Sequence, residues 1–134
     1  MLLADIEHVE QIPVLDQIHV EKGYEKALAS ALGDDLTAPL QREKTTVFKR
    51  YWSRLVGEKL GPELPQGAIS LNSHVKAPSE LNAILMQVGV VESEEIAEKM
   101  RGSLAHGQML TTMNGGLWRW DGFVVRGEIN NQSS

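Results

Sequence analysis

Two periodicities divide the chain. Between residues 23 and 33 apolar side chains recur at helical spacing, with Tyr24, Ala27, Leu28, Ala31 and Leu32 on one stripe. Gly33 suits the position just past the end of that helix, and Pro39 blocks its resumption. A wider stripe of Val47, Phe48, Tyr51, Trp52, Leu55 and Val56 predicts a helix over 46–56. A third helix opens at Ala77-Pro78, buries Leu81, Ile84, Leu85 and Val88, and ends at Gly89. Ser93 caps a fourth, with Glu94 and Glu95 where the helix dipole favours negative charge and with Ile96, Ala97 and Met100 facing inward; Gly102 ends it.

From residue 106 the period becomes two. Runs 109–113, 117–120 and 123–126 are rich in β-formers, and Asn114-Gly115 and Asp121-Gly122 separate them as turn dipeptides. A three-stranded meander is expected, its middle strand showing Trp118 and Trp120 on one face and Leu117 and Arg119 on the other. Shorter strands are predicted over 14–20, 68–71 and from Val90-Val91; 36–40 reads as a short strand or a loop. Residues 1–11 are a mixed, helical or frayed lead-in, and 128–134 a polar, disordered tail.

Strands and helices in this mixture define an α+β fold. The glycine- and proline-rich stretch 57–67 divides it into lobe I, about 12–60, and lobe II, about 64–127, within one domain spanning 1–134. A weak echo links the two. His19-Val20 and His74-Val75 each precede a helix, with Glu25 and Glu80 following the respective histidines at equal spacing. Chance and a pseudo-symmetric pair of lobes both account for it.

Composition narrows the function. The chain has 134 residues, 42% hydrophobic and 23% charged, as in an ordinary water-soluble domain. It contains no cysteine, which excludes disulfides, thiolate metal sites and a cysteine nucleophile. No apolar run approaches the roughly 20 residues that span a bilayer, and the N-terminal residues do not read as a secretory signal. The formal net charge of −5 disfavours nucleic-acid binding by the whole surface. A local basic patch is expected instead on the 46–56 helix: Lys49, Arg50 and Arg54, with Lys44 and Lys59 flanking. It reads either as a phosphate-contacting surface or as a solvated face.

Motifs for nucleotide phosphates or a serine nucleophile are missing. The four histidines, His8, His19, His74 and His106, are scattered and read as surface or capping residues rather than metal ligands. Asp34 and Asp35 read as solvating the first helix exit rather than as a catalytic pair. Trp118-Arg119-Trp120 could stack bases, but reads better as a hydrophobic anchor at a protein interface. Glycines crowd residues 102–127, and glycine lets two backbones approach closely. The meander is therefore expected either to close a core or to offer an edge to another chain.

Several stretches resemble the hinge domain of the SMC family, structural maintenance of chromosomes. VEKGYEKALASALGDDL resembles the family's opening signature, in Tyr24-Glu25, Ala31-Leu32-Gly33 and Leu36. LPQGAISL, VGVVESEEIAEKM and GQMLTTMNGGLWRWDGF resemble later hinge segments in the same order, and LWRWDGF is similar to a divergent bacterial form. The likeness runs from about residue 12 to 126. It departs at Arg126-Gly127-Glu128, where family hinges end in a Gly-Gly pair.

The resemblance implies two small pseudo-symmetric lobes of short sheets with flanking helices, forming a ring-like homodimer that joins two coiled-coil arms. It implies a bacterial, cytoplasmic, nucleoid-associated protein of chromosome condensation and segregation. ATPase heads and accessory subunits would lie elsewhere in the longer chain, and this piece would be neither an enzyme nor a cofactor binder. Dimer contacts are expected at Gly107, Met109, Leu110, Thr111, Thr112, Gly115 and Gly116, so that Leu110→Lys would split the dimer. Modest, sequence-independent DNA binding is expected at Lys49, Arg50, Arg54 and Lys59. The competing readings are a small two-lobed enzyme and a monomeric nucleic-acid-binding domain.

Overall fold

The computed structural model describes residues 11–41, 48–54 and 61–129. In chain order the elements are β1 (His19–Val20), α1 (Glu25–Leu32), β2 (Ile69–Ser70), β3 (Val75–Lys76), α2 (Asn82–Leu85), β4 (Val88–Val90), α3 (Glu94–Met100), β5 (Met109–Thr111), β6 (Leu117–Arg119) and β7 (Val124–Val125), with single 3₁₀ turns between several of them. A five-stranded sheet has the order β2-β4-β5-β6-β7. Its β4–β5 pair is parallel and is connected through α3; its other pairs are antiparallel. β1 and β3 form a separate two-stranded antiparallel sheet. There Val20 lies opposite Val75, so the two His-Val dipeptides of the sequence echo sit side by side.

Local chemistry accounts for the best-defined elements. At the start of α1 the Gly23 N–H donates to Glu25 Oε1 at 2.8 Å, and Gly33, at φ 53°, ends the helix in a conformation glycine adopts freely. Ala27, Leu28 and Leu32 are its buried stripe, as the spacing predicts. Ser93 Oγ accepts the Ile96 N–H at 3.2 Å to cap α3, with Glu94 and Glu95 in the first turn. Ala97 alone of the expected inward residues is fully buried; Ile96 is exposed and Met100 only partly covered.

Both meander hairpins close in one manner. The Gly115 N–H donates to Thr112 O and the Thr112 N–H to Gly116 O; the Gly122 N–H donates to Arg119 O and the Arg119 N–H to Phe123 O. Gly115 and Gly122 have φ of 93° and 98°, while among the described residues no non-glycine residue has a positive φ. Asn114 and Asp121 therefore do not form primed two-residue turns. The pattern is a turn followed by a left-handed glycine, the glycine-bulge hairpin.

Three predicted elements differ. The 14–20 strand is a 3₁₀ turn (Val14–Gln17) followed by the short β1. The 77–89 helix is a 3₁₀ turn (Ser79–Leu81) and the four-residue α2, and Gly89 sits inside β4 opposite Ser70 and Leu110. A Cβ on Gly89 would come within 2.8 Å of the Ala68 Cβ, so the glycine serves close packing rather than helix termination. Residues 48–54 are not helical: the Trp52 N–H donates to Pro39 O at 2.8 Å, the Gln41 N–H to Trp52 O at 2.9 Å, and Trp52 forms a parallel bridge with Leu40. Partners far along the chain override the helical spacing of the aromatics there. The rest of that expected helix, the 1–10 lead-in and the 130–134 tail lie outside the described residues.

The larger core draws on both sides of the 57–67 break. Val14, Ala27, Leu28, Leu32 and Leu36 pack with Leu71, Val75, Leu81, Leu85, Val88 and Val90. A smaller cluster, Val91, Ala97, Leu110 and Trp118, lies between the sheet and α3. The larger cluster is thus shared across the break, while the smaller one lies within 64–127. Among the described residues no helix is long and apolar enough to cross a membrane.

Candidate interface and basic surface

The sheet order decides which backbones are free to pair outward. β5 lies between β4 and β6 and is hydrogen-bonded on both sides. The expected interface strand is therefore interior. Leu110 and Thr111 are fully buried, Thr112 nearly so, and Met109 packs against the larger core. Gly116 is buried, and a Cβ there would strike Thr112 Oγ1 and the Trp118 ring. Of the seven expected contacts only Gly107 is exposed, with Gly115 half-buried. Spacing alone gives the strand but not its rank in the sheet, which depends on the β4–β5 parallel pairing.

The edges are β2 and β7, beyond which no strand lies among the described residues. β7 is the more apolar. Phe123 is 50% exposed, Trp120 44% and Val125 40%, a concentration of large apolar surface beside a strand edge. Leu117, Arg119, Phe123 and Val125 line one wall of a groove of about 500 Å³, with Ser30 and Leu32 of α1 opposite. Arg119 binds Asp121 through two hydrogen bonds, 3.0 and 2.7 Å, and its guanidinium lies 4.7 Å from the Phe123 ring centre. Those bonds hold the Asp121 carboxyl below its ordinary pKa and raise that of Arg119. The result is a locked arginine–aromatic pair at the β6–β7 turn. At the β2 edge, Ile69 is 56% exposed and opens onto a second groove, of about 480 Å³, with Tyr24, His74, Ile96 and Met113.

The tryptophans divide. Trp118 is fully buried, and its indole N–H donates to Glu98 Oε2 on α3 at 2.7 Å. That bond, then the hydrogen bond from Arg101, lowers the Glu98 pKa. Trp118 is thus an internal anchor, and Trp120 alone faces outward, tilted against His106 with ring centres 4.7 Å apart. His74 stacks on Tyr24 at 4.0 Å, with its Nδ1 3.3 Å from Glu21 Oε1. No group of three metal-ligating side chains occurs among the described residues.

The expected basic helix face does not form. Lys49, Arg50 and Arg54 lie on an irregular segment, all exposed, while Lys44 and Lys59 fall outside the described residues. Arg50 folds back on the exit of α1. It donates to Asp34 O at 3.1 Å and lies 3.5 Å from the Asp34 carboxylate and 3.9 Å from that of Asp35. Its charge is met within the chain. Arg54 lines a groove near Gln17 and Glu80.

A polar knot near residue 62 was not anticipated. Gln108 is fully buried. Its Oε1 accepts the Ala105 N–H at 2.8 Å, and its Nε2 faces Pro62 O at 3.1 Å, Glu63 O at 3.0 Å and Gln87 Oε1 at 3.2 Å. It pins the 61–64 connection to the sheet. A polar residue at the threshold of an apolar strand is the signal that could have revealed it.

No family model matches the chain. Solved structures define the fold. The fold is that of an SMC hinge domain: it superposes on the hinge in an asymmetric dimer from Geobacillus stearothermophilus with a TM-score of 0.67, covering 96% of this chain and 64% of that one at 16% identity. It superposes on the Pyrococcus furiosus SMC hinge domain with a TM-score of 0.66, covering 93% and 78% at 15% identity.

Sequence carries the assignment further. The chain is 42% identical over 113 residues to the chromosome partition protein Smc of Rhodopseudomonas palustris, covering 84% of this chain and 9% of that protein. With Smc of Cereibacter sphaeroides it shares 39% over 126 residues, covering 94% and 11%. The chain belongs to the SMC family, as a hinge domain, and spans about a tenth of the length of these relatives.

Proposed function

We propose that this domain is the homodimerisation hinge of a bacterial chromosome-partition SMC protein, joining two coiled-coil arms in the nucleoid-bearing cytoplasm, with catalysis carried by ATPase heads elsewhere in the longer chain. The observation that carries the reading is the free β7 edge, flanked by Phe123, Val125 and Trp120, in a fold whose solved neighbours include a hinge dimer. An apolar strand edge offers main-chain hydrogen bonds and aromatic anchors together, which is what strand addition between chains uses. The pairing surface thus moves from β5 to the β7 edge, with Gly107 and Gly115 as reachable flanks.

Sedimentation of the 134-residue chain over a wide concentration range tests this. A dimer is expected, and Phe123→Glu with Val125→Glu should shift it to monomer while the far-ultraviolet spectrum is unchanged. An unaltered dimer mass in that variant sinks the β7 assignment, and a monomer in the parent chain at all concentrations sinks the reading. DNA contact is proposed for Lys49 and Arg54, with a smaller part for Arg50 because Asp34 and Asp35 already face it. Lys49→Glu with Arg54→Glu should lower affinity for a short duplex at low salt; equal affinity would remove these residues from the DNA surface.

A further inference from the structure

Beyond β7 the chain does not simply leave the body. The Glu128 N–H donates to Asn114 O at 2.9 Å, and Asn114 Nδ2 donates back to Glu128 O at 3.0 Å. Asn114 Oδ1 accepts from the nearly buried Thr112 hydroxyl, whose oxygen in turn accepts the Gly116 N–H at 3.0 Å. On the other side, Ser30 Oγ of α1 donates to Gly115 O at 2.6 Å, and Lys26, one turn earlier on α1, pairs with the Glu128 carboxylate. Arg126 pairs with Glu94 at the start of α3. The bonds among Glu128, the Asn114 turn and α1 form a closed circuit. Within it, the Gly116 N–H, the Thr112 hydroxyl and the Asn114 amide run head to tail to Glu128 O.

Gly127 is what lets the circuit close. Its backbone is outside the left-handed region, so conformation does not require glycine there. Space does: a Cβ would come within 2.7 Å of Asn114 Nδ2 and closer still to the amide oxygen. The exit segment and the turn lie face to face with no room for a methyl group.

We propose that residues 126–129 are a strap that sets the direction in which the chain leaves the domain, and that Asn114 ties this direction to the Gly115–Gly116 turn and to α1. The consequence for arms rests on the hinge reading above. The strap follows the free-edged strand β7 without a gap, so the direction of an arm attached beyond it and the position of the pairing edge are set by one set of bonds. Pulling the exit away from Asn114 would loosen the β5–β6 turn in the same motion.

Amide exchange on the 134-residue chain tests the strap whether or not the chain dimerises. Asn114→Asp keeps the shape, removes the donor to Glu128 O and adds a like charge beside Glu128. It should speed exchange of the Glu128 and Gly116 amides about tenfold while the amides of α3 are unmoved. Gly127→Ala should do the same through the clash. In an Asn114→Ala background, where the struck amide is gone, Gly127→Ala should add almost nothing. Independent, additive effects, or exchange at Glu128 unchanged in every variant, would overturn the proposal. A second readout uses the absence of native cysteine. Spin labels placed by Ala29→Cys and Ile129→Cys should give a narrow distance distribution that broadens with Gly127→Ala; equal widths would also overturn it. Failure of the hinge reading shows separately, as a monomer in sedimentation with the strap intact.

Discussion

Leu110→Ala separates a core residue from an interface residue. Leu110 lies fully buried on the middle strand, opposite Gly89 of β4 and Trp118 of β6. Truncation of a buried leucine costs about 2–5 kcal/mol, more where the surroundings cannot close on the cavity. Little can close here. Gly89 has no side chain to move in, Trp118 is tethered to Glu98 by its indole N–H, and Ala97 offers one methyl group. The loss should therefore fall in the upper part of the range, about 3–5 kcal/mol, a large share of the roughly 5–15 kcal/mol that holds a typical domain together.

The assay is urea unfolding at two protein concentrations a decade apart, with sedimentation of the folded fraction. The midpoint should fall by the same amount at both concentrations, and the surviving folded chain should associate as the parent does. Full monomer stability combined with loss of the dimer would refute the buried placement and restore β5 as an outer surface. Leu110→Lys should unfold the chain rather than dissociate it, because the ammonium would have no water or partner in that site.

Gln108→Leu should cost about 1–3 kcal/mol in the same unfolding assay, since it takes the side-chain partner from the part-buried Ala105 N–H, while water can reach the carbonyl of the exposed Glu63; no change would mean that water replaces both bonds. Gly89→Ala should destabilise by about 1–3 kcal/mol through overpacking against Ala68, read as a lowered melting temperature, and no change would show that β2 and β4 can part freely. Glu98 and Asp121 both have folded pKa values below their unfolded ones, so their contribution is present above the unfolded carboxylate pKa and lost as pH falls through the folded values. Thermal melts should decline from about pH 5 downward, and Trp118→Phe should flatten that decline by removing the first cause of the Glu98 shift; an equally steep acid slope in the variant would assign the loss to other carboxylates.

Much of the architecture was legible because its causes are local. The α1 stripe, the Ser93 cap and the two glycine turns of the meander each follow from residues a few positions apart. The failures share the opposite character. Trp52 is drawn out of a helical pattern by Pro39, Leu40 and Gln41, and its indole N–H donates to Asp35 O at 2.9 Å. Val88 belongs to a strand rather than to the 77–89 helix because Val90 and Gly89 pair with β2 and β5. A run of four apolar positions fits either period, and only distant partners decide between them.

The glycines carry the sharper lesson about the site. Their density rightly indicates close approach, but composition does not say to what. At Gly89 the neighbour is Ala68, at Gly116 the Trp118 ring, and at Gly127 the Asn114 amide, all within one chain. At these three positions the fold uses close approach between its own layers. A surface that joins two chains needs a free backbone edge and apolar side chains beside it. Here those two conditions coincide most strongly at β7, the strand that runs directly into the strap. An insertion of one residue between Val125 and Gly127 should therefore disturb self-association and exit geometry together, whereas one at the exposed Asp121-Gly122 turn should spare the exit. Equal sedimentation and equal label distances for the two insertions would show that edge and exit are not mechanically joined.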